Sequence, residues 1–244
     1  MNEKSPKSHV SAQYDEDLMA LRSRVLEMGG LVEAQIRAAG EAYTSGDISE
    51  VDAIIDADAD INALEKAIDG ECAQVVAKRQ PTASDLRLIL GVTKIVTDLE
   101  RVGDEAKKIA KGARHIHEQG NGALLRAADV RHVAEVAVGM LRQSLDCFAR
   151  LDAVAAGEVV AADAEVDTEF KAILRQLVTY MMEDPRTISA AVDIVWIARA
   201  IERIGDHAKN IAEHVVLIAE GRDIRHLGKK NPLVTPGLRV GARA

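Results

Sequence analysis

The chain has 244 residues, of which 48% are hydrophobic and 29% are charged, a balance typical of a folded globular protein rather than a disordered one. The net charge of −8 and the aromatic content of 2% argue against a protein that mainly holds nucleic acid, because such proteins need a basic surface and stacking rings. No stretch is long and apolar enough to span a bilayer, and the polar first residues lack a signal-peptide core, so we expect a cytoplasmic protein.

The first half of the chain predicts three long helices. Residues 1–12 are polar and are expected to form a flexible arm, after which apolar residues recur every three or four positions, as on one face of a helix. Gly46 and Pro81 interrupt this pattern, since glycine ends helices readily and proline cannot continue one. Residues 13–119 are therefore predicted to form a three-helix bundle. Its helices are expected at about residues 14–45, 49–79 and 84–118.

The second half repeats this organisation. Residues 120–221 are predicted to form a second three-helix bundle, entered through a glycine-rich linker at 119–122. Its helices are expected at about residues 124–155, 158–182 and 188–219, with a turn at Gly157. Residues 222–244 hold six Lys or Arg residues and one Asp, which is typical of a basic disordered tail. The predicted fold class is all-α, with six long helices in two pseudo-symmetric antiparallel three-helix bundles.

Two segments indicate an internal repeat. Residues 99–110 and 201–212 share eight of their twelve residues and lie 102 positions apart, at matching points in the third and sixth predicted helices. Each copy places a Glu and an Asp four positions apart, on one helix face. These pairs are Glu100 with Asp104 and Glu202 with Asp206. Gly103 and Gly205 lie between them, and such a mid-helix glycine costs about 1 kcal/mol but leaves room for a second helix or an ion.

Acidic pairs with the same spacing occur in the second and fifth predicted helices. These pairs are Asp56 with Asp60 and Asp163 with Asp167, with Asp58 and Glu165 beside them as alternatives. Antiparallel packing within each bundle would bring each aspartate pair opposite a Glu–Asp pair. Four carboxylates without a nitrogen or sulfur ligand suit hard cations such as Fe, Mn, Mg or Ca and disfavour Zn. Acidic pairs also arise by chance in a chain with 39 acidic residues, so this hypothesis depends on the duplication.

These residues resemble the PhoU family, whose repeated acidic motif is similar to Leu-Glu-Arg-Val-Gly-Asp at 99–104 and Ile-Glu-Arg-Ile-Gly-Asp at 201–206. Arg-Gln-Pro-Thr-Ala-Ser-Asp-Leu-Arg at 79–87 and Met-Glu-Asp-Pro-Arg at 182–186 also resemble the family, and the resemblance extends over about residues 14–221. It implies two pseudo-symmetric three-helix bundles with multinuclear metal clusters on their surface. The family's ligands are Glu or Asp residues four positions apart, which the resemblance places at the four pairs named above.

The resemblance also implies a regulatory function. Members of the family connect the ATPase of a phosphate ABC transporter to a sensor histidine kinase, and they repress the phosphate-starvation response when phosphate is plentiful. For this chain we accordingly expect a homodimer that has no enzymatic activity, does not bind nucleic acid, and associates with the membrane periphery through its partners. The basic tail at 222–244 departs from the family pattern.

Two alternatives stand beside this interpretation. A carboxylate-bridged di-iron metalloenzyme needs Glu-x-x-His pairs that project into a helical bundle, and neither repeat has a histidine three positions after its glutamate. The chain also lacks a nucleophile–base pair, a phosphate-binding glycine loop and a dinucleotide motif, so an enzyme is disfavoured. A structural helical scaffold whose acidic faces bind no metal stays open at this point.

Two further side chains are assigned from the pattern around them. Trp196 lies between apolar residues and is expected in the core or at the bundle interface. His207 points about 100° away from Asp206 around the helix and is expected at the surface.

Overall fold

The structure is a computed structural model that describes residues 6–119 and 130–225. Within these two ranges the chain forms seven α-helices and no β-strand. The helices are α1 (Pro6–Ser45), α2 (Val51–Asp56), α3 (Asp58–Arg79), α4 (Ala83–Glu118), α5 (Val130–Arg150), α6 (Ala153–Glu183) and α7 (Ile188–Glu220), with a short 3₁₀ turn at Pro185–Thr187. None of the helices in the described ranges is long and apolar enough to cross a membrane.

The predicted all-α fold of six long helices is confirmed, because α2 and α3 form one interrupted helix. Only Ala57 separates them, and its own dihedral angles (φ −58°, ψ −22°) are helical. The first helix begins at Pro6, so the second half of the predicted flexible arm is helical instead. The remaining predicted arm and most of the predicted linker and tail lie outside the described residues, and the division of the chain at residue 120 stays a prediction. These undescribed segments are residues 1–5, 120–129 and 226–244.

Left-handed backbone conformations form several of the turns between helices. Gly46 (φ 79°) follows α1 and Gly221 (φ 68°) follows α7, as predicted from the sequence. Between α5 and α6, Leu151 takes φ 52°, and the Asp152 carboxylate accepts hydrogen bonds from the backbone N–H groups two and three positions further on. The predicted turn at Gly157 is therefore wrong, because Gly157 lies within α6 and is buried.

Helices α4 and α7 carry the repeated motif and pack against each other in antiparallel orientation. Glycines allow their close approach. A Cβ atom added at Gly91 would collide with Ile218, and one added at Gly112 would lie 2.8 Å from Ile197. The other helices of the first repeat pack on α4, and those of the second repeat pack on α7. Buried aliphatic residues from both halves form one continuous core.

Candidate metal sites

Gly103 and Gly205 determine how the helices of each repeat pack. A Cβ atom added at Gly103 on α4 would lie 3.2 Å from Ile61 Cδ1 on α3, and one added at Gly205 on α7 would lie 3.3 Å from Val166 Cγ1 on α6. The two glycines therefore make room for an aliphatic side chain of the adjacent helix, which is one of the two roles predicted for them. Because Ile61 and Val166 occupy equivalent places, residues of α3 correspond to residues of α6 that lie 105 positions further on.

The second repeat brings together all four of its predicted residues where α6 meets α7. Burial raises the pKa of Asp206 on α7, and the nearby carboxylates of Asp163 and Asp167 on α6 raise it further. The pKa of Glu202 is raised in the same way, first by burial and then by these three neighbouring carboxylates. Glu165, the alternative candidate on α6, is exposed. The four predicted residues thus form one group, which we call the α6–α7 cluster.

Two cations partly neutralise the α6–α7 cluster. Lys209 Nζ lies 2.6 Å from Asp163 Oδ2, and Arg199 Nη1 lies 2.6 Å from Glu202 Oε1. The other carboxylate oxygen of Glu202, Oε2, is buried and accepts no hydrogen bond from the described residues. Such an oxygen is costly, because nothing replaces the water that it loses on folding. With four carboxylates and two cations, the cluster keeps an excess of negative charge.

The first repeat arranges its acidic residues differently, where α3 meets α4. Lys107 Nζ lies 2.6 Å from Asp58 Oδ2 on α3 and 2.7 Å from Asp104 Oδ1 on α4, so one ammonium group bridges both helices. Asp58 is buried, and its Oδ1 atom has no hydrogen-bond partner in the described chain. Asp56 and Asp60, the pair predicted from spacing, are both exposed. The alternative residue, Asp58, therefore takes the place on α3 that Asp163 takes on α6.

Glu65 is an acidic residue of this first site that the sequence analysis missed. Burial raises the pKa of Glu65, and the Glu100 carboxylate raises it further, so the two side chains lie close together across the α3–α4 interface. Asn62 lies between Asp58 and Glu65 on α3 and donates a hydrogen bond of 3.2 Å to Asp58 Oδ2. These three α3 residues follow the i, i+4, i+7 spacing of one helix face, a pattern that would have revealed them. We call Asp58, Glu65, Glu100 and Asp104 the α3–α4 cluster.

The chemistry of both clusters fits a hard cation. Carboxylate oxygens are the ligands that such cations prefer, and one oxygen in each cluster, on Asp58 or Glu202, is buried without a partner. In the part of the chain that the structure describes, however, no three acidic, histidine or cysteine side chains are arranged closely enough to hold a metal ion. A lysine, Lys107 or Lys209, contacts the carboxylates instead. Binding a cation therefore requires that the ammonium group moves away and that the carboxylates converge.

Two side chains on α7 differ from their predicted positions. His207 is partly buried, and its Nδ1 lies at the hydrogen-bonding distance of 2.8 Å from Asp98 Oδ1 on α4, so the predicted surface position is wrong. Burial alone raises the pKa of Asp98, but hydrogen bonds from His207, His214 and Asn210 hold it below its ordinary value. Trp196 is 69% exposed, so its predicted position in the core or at the bundle interface is also wrong. Both differences depend on which helices pack together, which the local sequence does not show.

The fold and the two clusters define a class of protein. It is an all-helical chain of two three-helix repeats, each with a carboxylate cluster where an outer helix meets one of the two central helices. A family model described as "PhoU domain" matches residues 25–113 and 130–215, one range in each repeat. The chain therefore belongs to the PhoU family. This match confirms the resemblance inferred from the duplicated acidic motif.

Relatives and solved structures agree with this assignment. The chain is 46% identical over 230 residues to the phosphate-specific transport system accessory protein PhoU homolog of Pseudomonas putida, covering 94% of this chain and 90% of that protein. It is 41% identical over 220 residues to the phosphate-specific transport system accessory protein PhoU of Escherichia coli (strain K12), covering 90% of each. It resembles the crystal structure of PhoU from Pseudomonas aeruginosa with a TM-score of 0.80 and 45% identity, covering 86% of this chain and 100% of that one.

Proposed function

We propose that this protein is a non-enzymatic regulator of phosphate uptake. In this role it links the ATPase of a phosphate ABC transporter to a sensor histidine kinase, and it represses the phosphate-starvation response when phosphate is plentiful. The observation that carries the proposal is the family match in both repeats. The similarity to accessory proteins of the phosphate-specific transport system also extends over 90% of the length of each of the two relatives, so it concerns the whole protein.

An exposed apolar surface on α6 and α7 supports a role in binding other proteins. Six large hydrophobic side chains are exposed near the turn that joins these helices, spaced four positions apart on each helix and therefore on one face of each. They are Leu174, Val178, Met182, Ile188, Val192 and Trp196. Exposed apolar patches on folded proteins commonly mark interaction sites. We propose that the protein works as a cytoplasmic homodimer and reaches the membrane periphery through its partners.

Deleting the gene tests the regulatory role. A reporter fused to a phosphate-starvation promoter should stay active in high phosphate in the deletion strain, and a plasmid copy of the wild-type gene should restore repression. Normal repression in the deletion strain would contradict the proposal.

A pull-down experiment tests the partners. The wild-type protein should capture the transporter ATPase and the kinase. Trp196→Gln should capture less of both, because it removes the largest of the six exposed apolar side chains. Val154→Gln is a matched control, since Val154 is also 69% exposed but lies at the opposite end of α6. Equal capture by both variants would count against this surface as the binding site.

We also propose that both clusters bind hard cations, with Fe, Mn or Mg as candidates. The support is the set of carboxylate oxygens in each cluster and the excess of negative charge in the α6–α7 cluster. A bound cation would neutralise the excess negative charge of these carboxylates. In the first repeat we propose that Asp58 on α3 contributes together with Glu100 and Asp104, because Asp58 is buried and faces α4.

Variants of α2 and α3 distinguish Asp58 from the pair predicted by spacing, Asp56 and Asp60. Asp58→Asn should lower Mn²⁺ affinity at the α3–α4 cluster by roughly tenfold, the equivalent of about 1.4 kcal/mol. Asp56→Asn/Asp60→Asn should leave it unchanged, since both side chains are exposed. Calorimetric titration of chelator-treated protein measures both. A larger loss in the double variant would favour Asp56 and Asp60 as the ligands.

Metal analysis distinguishes the proposed metal sites from a structural scaffold that binds no metal. Protein purified without chelator should contain measurable metal, and a Glu100/Asp104/Glu202/Asp206 alanine variant should contain less. Equal, near-zero metal in both would support the scaffold and reject the metal sites. The regulatory role is tested separately by the deletion strain, so the two proposals can fail independently.

A further inference from the structure

Two adjoining cavities form a groove on the surface of the first repeat. The first, of about 470 Å³, lies where α3, α4 and α7 meet, and Arg225 lines it as well. The second, of about 550 Å³, lies between α3 and α4. Asp69 of α3 and Thr93 of α4 line both cavities, so we call the whole the Asp69 groove. The walls of the second cavity are mainly apolar and are formed by Cys72, Ala73, Val76, Ala77, Ile89 and Leu90.

The described part of the chain ends in the wall of this groove. Helix α7 is followed by Gly221, whose left-handed conformation (φ 68°) turns the backbone. Ile224 then packs into the core with only 3% of its surface exposed, and the next residue, Arg225, lines the first cavity. Residues 226–244 are therefore attached to the protein at the groove itself.

Asp69 gives the groove an unpaired negative charge. Burial raises the pKa of Asp69, and no cation of the described chain lowers it. Burial also raises the pKa of Glu65, four positions earlier on the same face of α3, and the carboxylates of Glu100 and Asp69 raise it further. Asp69 therefore extends the negative charge of the α3–α4 cluster into the groove.

The lysine and the arginine that line the first cavity face other carboxylates. Hydrogen bonds from Arg225 lower the pKa of Asp223, and the charge of Lys94 lowers it further. Arg225 also lies near Glu213, whose charge helps to raise the pKa of the guanidinium after the larger contribution from Asp223. Two cations thus face two acidic groups, and the charge of Asp69 is left for a partner.

The segment that follows Arg225 has the complementary composition. Residues 226–244 hold four Lys or Arg residues and no Asp or Glu, and since the whole chain carries −8, the rest of it carries −12. Lys229 and Lys230 come first, and Leu233 and Val234 follow them. Counted from Arg225, the groove presents the same order, with a carboxylate in the first cavity and apolar walls in the second.

The lengths of the segment and the groove agree. The four residues from Arg225 to Lys229 reach at most about 14 Å, and Arg225 and Asp69 line the same cavity. Asp69 and Ala77 lie eight positions apart on α3, or about 12 Å. The four residues from Lys230 to Val234 again reach at most about 14 Å. One lysine can therefore contact Asp69 while Val234 lies beside Ala77.

The Asp69 groove is also the first repeat's counterpart of the apolar surface on α6 and α7. Leu90 of α4 is 52% exposed and corresponds to Val192, 102 positions further on. Asp69 of α3 corresponds to Leu174, 105 positions further on. The first repeat thus has a carboxylate where the second has an exposed apolar side chain. It suits a segment that is both basic and apolar better than a purely apolar partner.

We propose that residues 226–244 bind in the Asp69 groove of their own chain. The two lysines pair with Asp69, and Leu233 and Val234 pack on the apolar walls between α3 and α4. The docked segment covers the first repeat's apolar groove and leaves the surface on α6 and α7 open to partners. The docking does not depend on the regulatory role or on the metal sites, and only its consequence for partners rests on the proposed function.

Disulfide trapping in the full-length protein tests the docking. All variants carry Cys72→Ala and Cys147→Ala, so that the introduced cysteines alone can react. Under mild oxidation Val234→Cys should form an intramolecular disulfide about tenfold faster with Ala77→Cys than with Gln74→Cys, because docking raises the local concentration of one thiol near the other. Gln74 is the matched control, since it is exposed and lies three positions from Ala77 but lines a cavity between α1 and α3. Thermal unfolding confirms that the variants are folded.

Charge reversal tests the ion pair. Asp69→Lys should abolish the preference for Ala77→Cys, and adding Lys229→Glu/Lys230→Glu to the same chain should restore it. A preference that survives Asp69→Lys, or that the double reversal does not restore, would overturn Asp69 as the recognised group.

Two outcomes would overturn the docking itself. Equal rates with Ala77→Cys and Gln74→Cys would show that the segment reaches both positions without binding in the groove. Disulfides that join two chains, seen as dimers on a non-reducing gel, would replace the chain's own segment with that of a second copy.

Discussion

The two carboxylate clusters occupy equivalent places in the two repeats, but their charges are balanced differently. In the α3–α4 cluster Lys107 contacts carboxylates on both helices, and Asn62 stands where the second repeat has Asp167. In the α6–α7 cluster the equivalent Lys209 forms its ion pair with Asp163 on α6. Each cluster has four carboxylates, but in the first one ammonium group contacts carboxylates of both helices, and the second has an aspartate where the first has the neutral amide of Asn62.

This difference shows that the two repeats share the same packing at the site but differ in the arrangement of their charged side chains. Both repeats have the glycine, the aliphatic side chain that packs against it, and the lysine. In the α6–α7 cluster the pKa values of the central-helix carboxylates, Glu202 and Asp206, are raised by burial and by neighbouring acidic groups. Repulsion of this kind is relieved when a cation binds. We therefore expect the α6–α7 cluster to gain more from a hard cation than the α3–α4 cluster does.

The largest expected effect is on cation affinity. Glu202→Gln/Asp206→Asn should lower Mn²⁺ affinity at its cluster by roughly 100-fold. Glu100→Gln/Asp104→Asn should lower it by roughly tenfold at the other, because Lys107 already pairs with Asp104 on the central helix as well as with Asp58. Titration calorimetry on chelator-treated protein measures both losses. Equal losses at the two clusters would show that the structural difference does not affect cation binding.

The second expected effect is on stability without metal. Lys107→Met should lower the free energy of unfolding by about 2 kcal/mol, because it leaves the buried Asp58 without its cation, whereas Lys209→Met should cost about 1 kcal/mol. Urea denaturation in the presence of a chelator measures both. Adding Mn²⁺ should restore part of the loss. A larger cost for Lys209→Met would reverse the comparison.

Most of the fold was predictable because its signals are local. Apolar spacing indicated the helices, and Gly46 and Gly221 indicated two of their ends. The turn between α5 and α6 was missed because Leu151 adopts the left-handed conformation that glycine usually takes, and Gly157, inside α6, gave a false signal. The early start of α1 was missed because its first residues are polar, so they show no apolar period.

For the candidate sites, the sequence could show which acidic residues share one face of a helix, but not which face packs against the neighbouring helix. The structure brings together the four residues predicted for the α6–α7 cluster. In the first repeat the register between α3 and α4 depends on Ile61 packing against Gly103. This contact joins segments that are distant in the sequence, so the spacing of residues within one helix does not reveal it. That contact turns Asp58 inwards and leaves Asp56 and Asp60 exposed. A spacing of four therefore shows that two carboxylates share a helix face, but it does not show whether that face meets the neighbouring helix.

The third expected effect tests whether one residue accounts for the difference between the clusters. Asn62→Asp gives the first repeat the carboxylate that Asp167 supplies in the second, so it should raise Mn²⁺ affinity at the α3–α4 cluster by about tenfold. Asp167→Asn should lower affinity at the α6–α7 cluster by a similar factor. Titration calorimetry of the two variants makes a matched pair. If Asn62→Asp leaves the affinity unchanged, the bridging Lys107 must account for the difference instead.

The smallest expected effect concerns the charge of Glu202 without metal. Its raised pKa means that the folded protein binds this proton more tightly than the unfolded chain does. At pH 7 the ionised group therefore reduces stability, and the reduction disappears as the pH falls through the raised pKa towards the ordinary value.

Glu202→Gln should accordingly stabilise chelator-treated protein by about 1 kcal/mol at pH 7, or roughly 2–4 °C in Tm, with a smaller gain near pH 4.5. Glu165→Gln, an exposed control on α6, should change Tm little at either pH. A gain that grows as the pH falls would mean that Glu202 is stabilised as a carboxylate, and the two clusters would then be electrostatically alike.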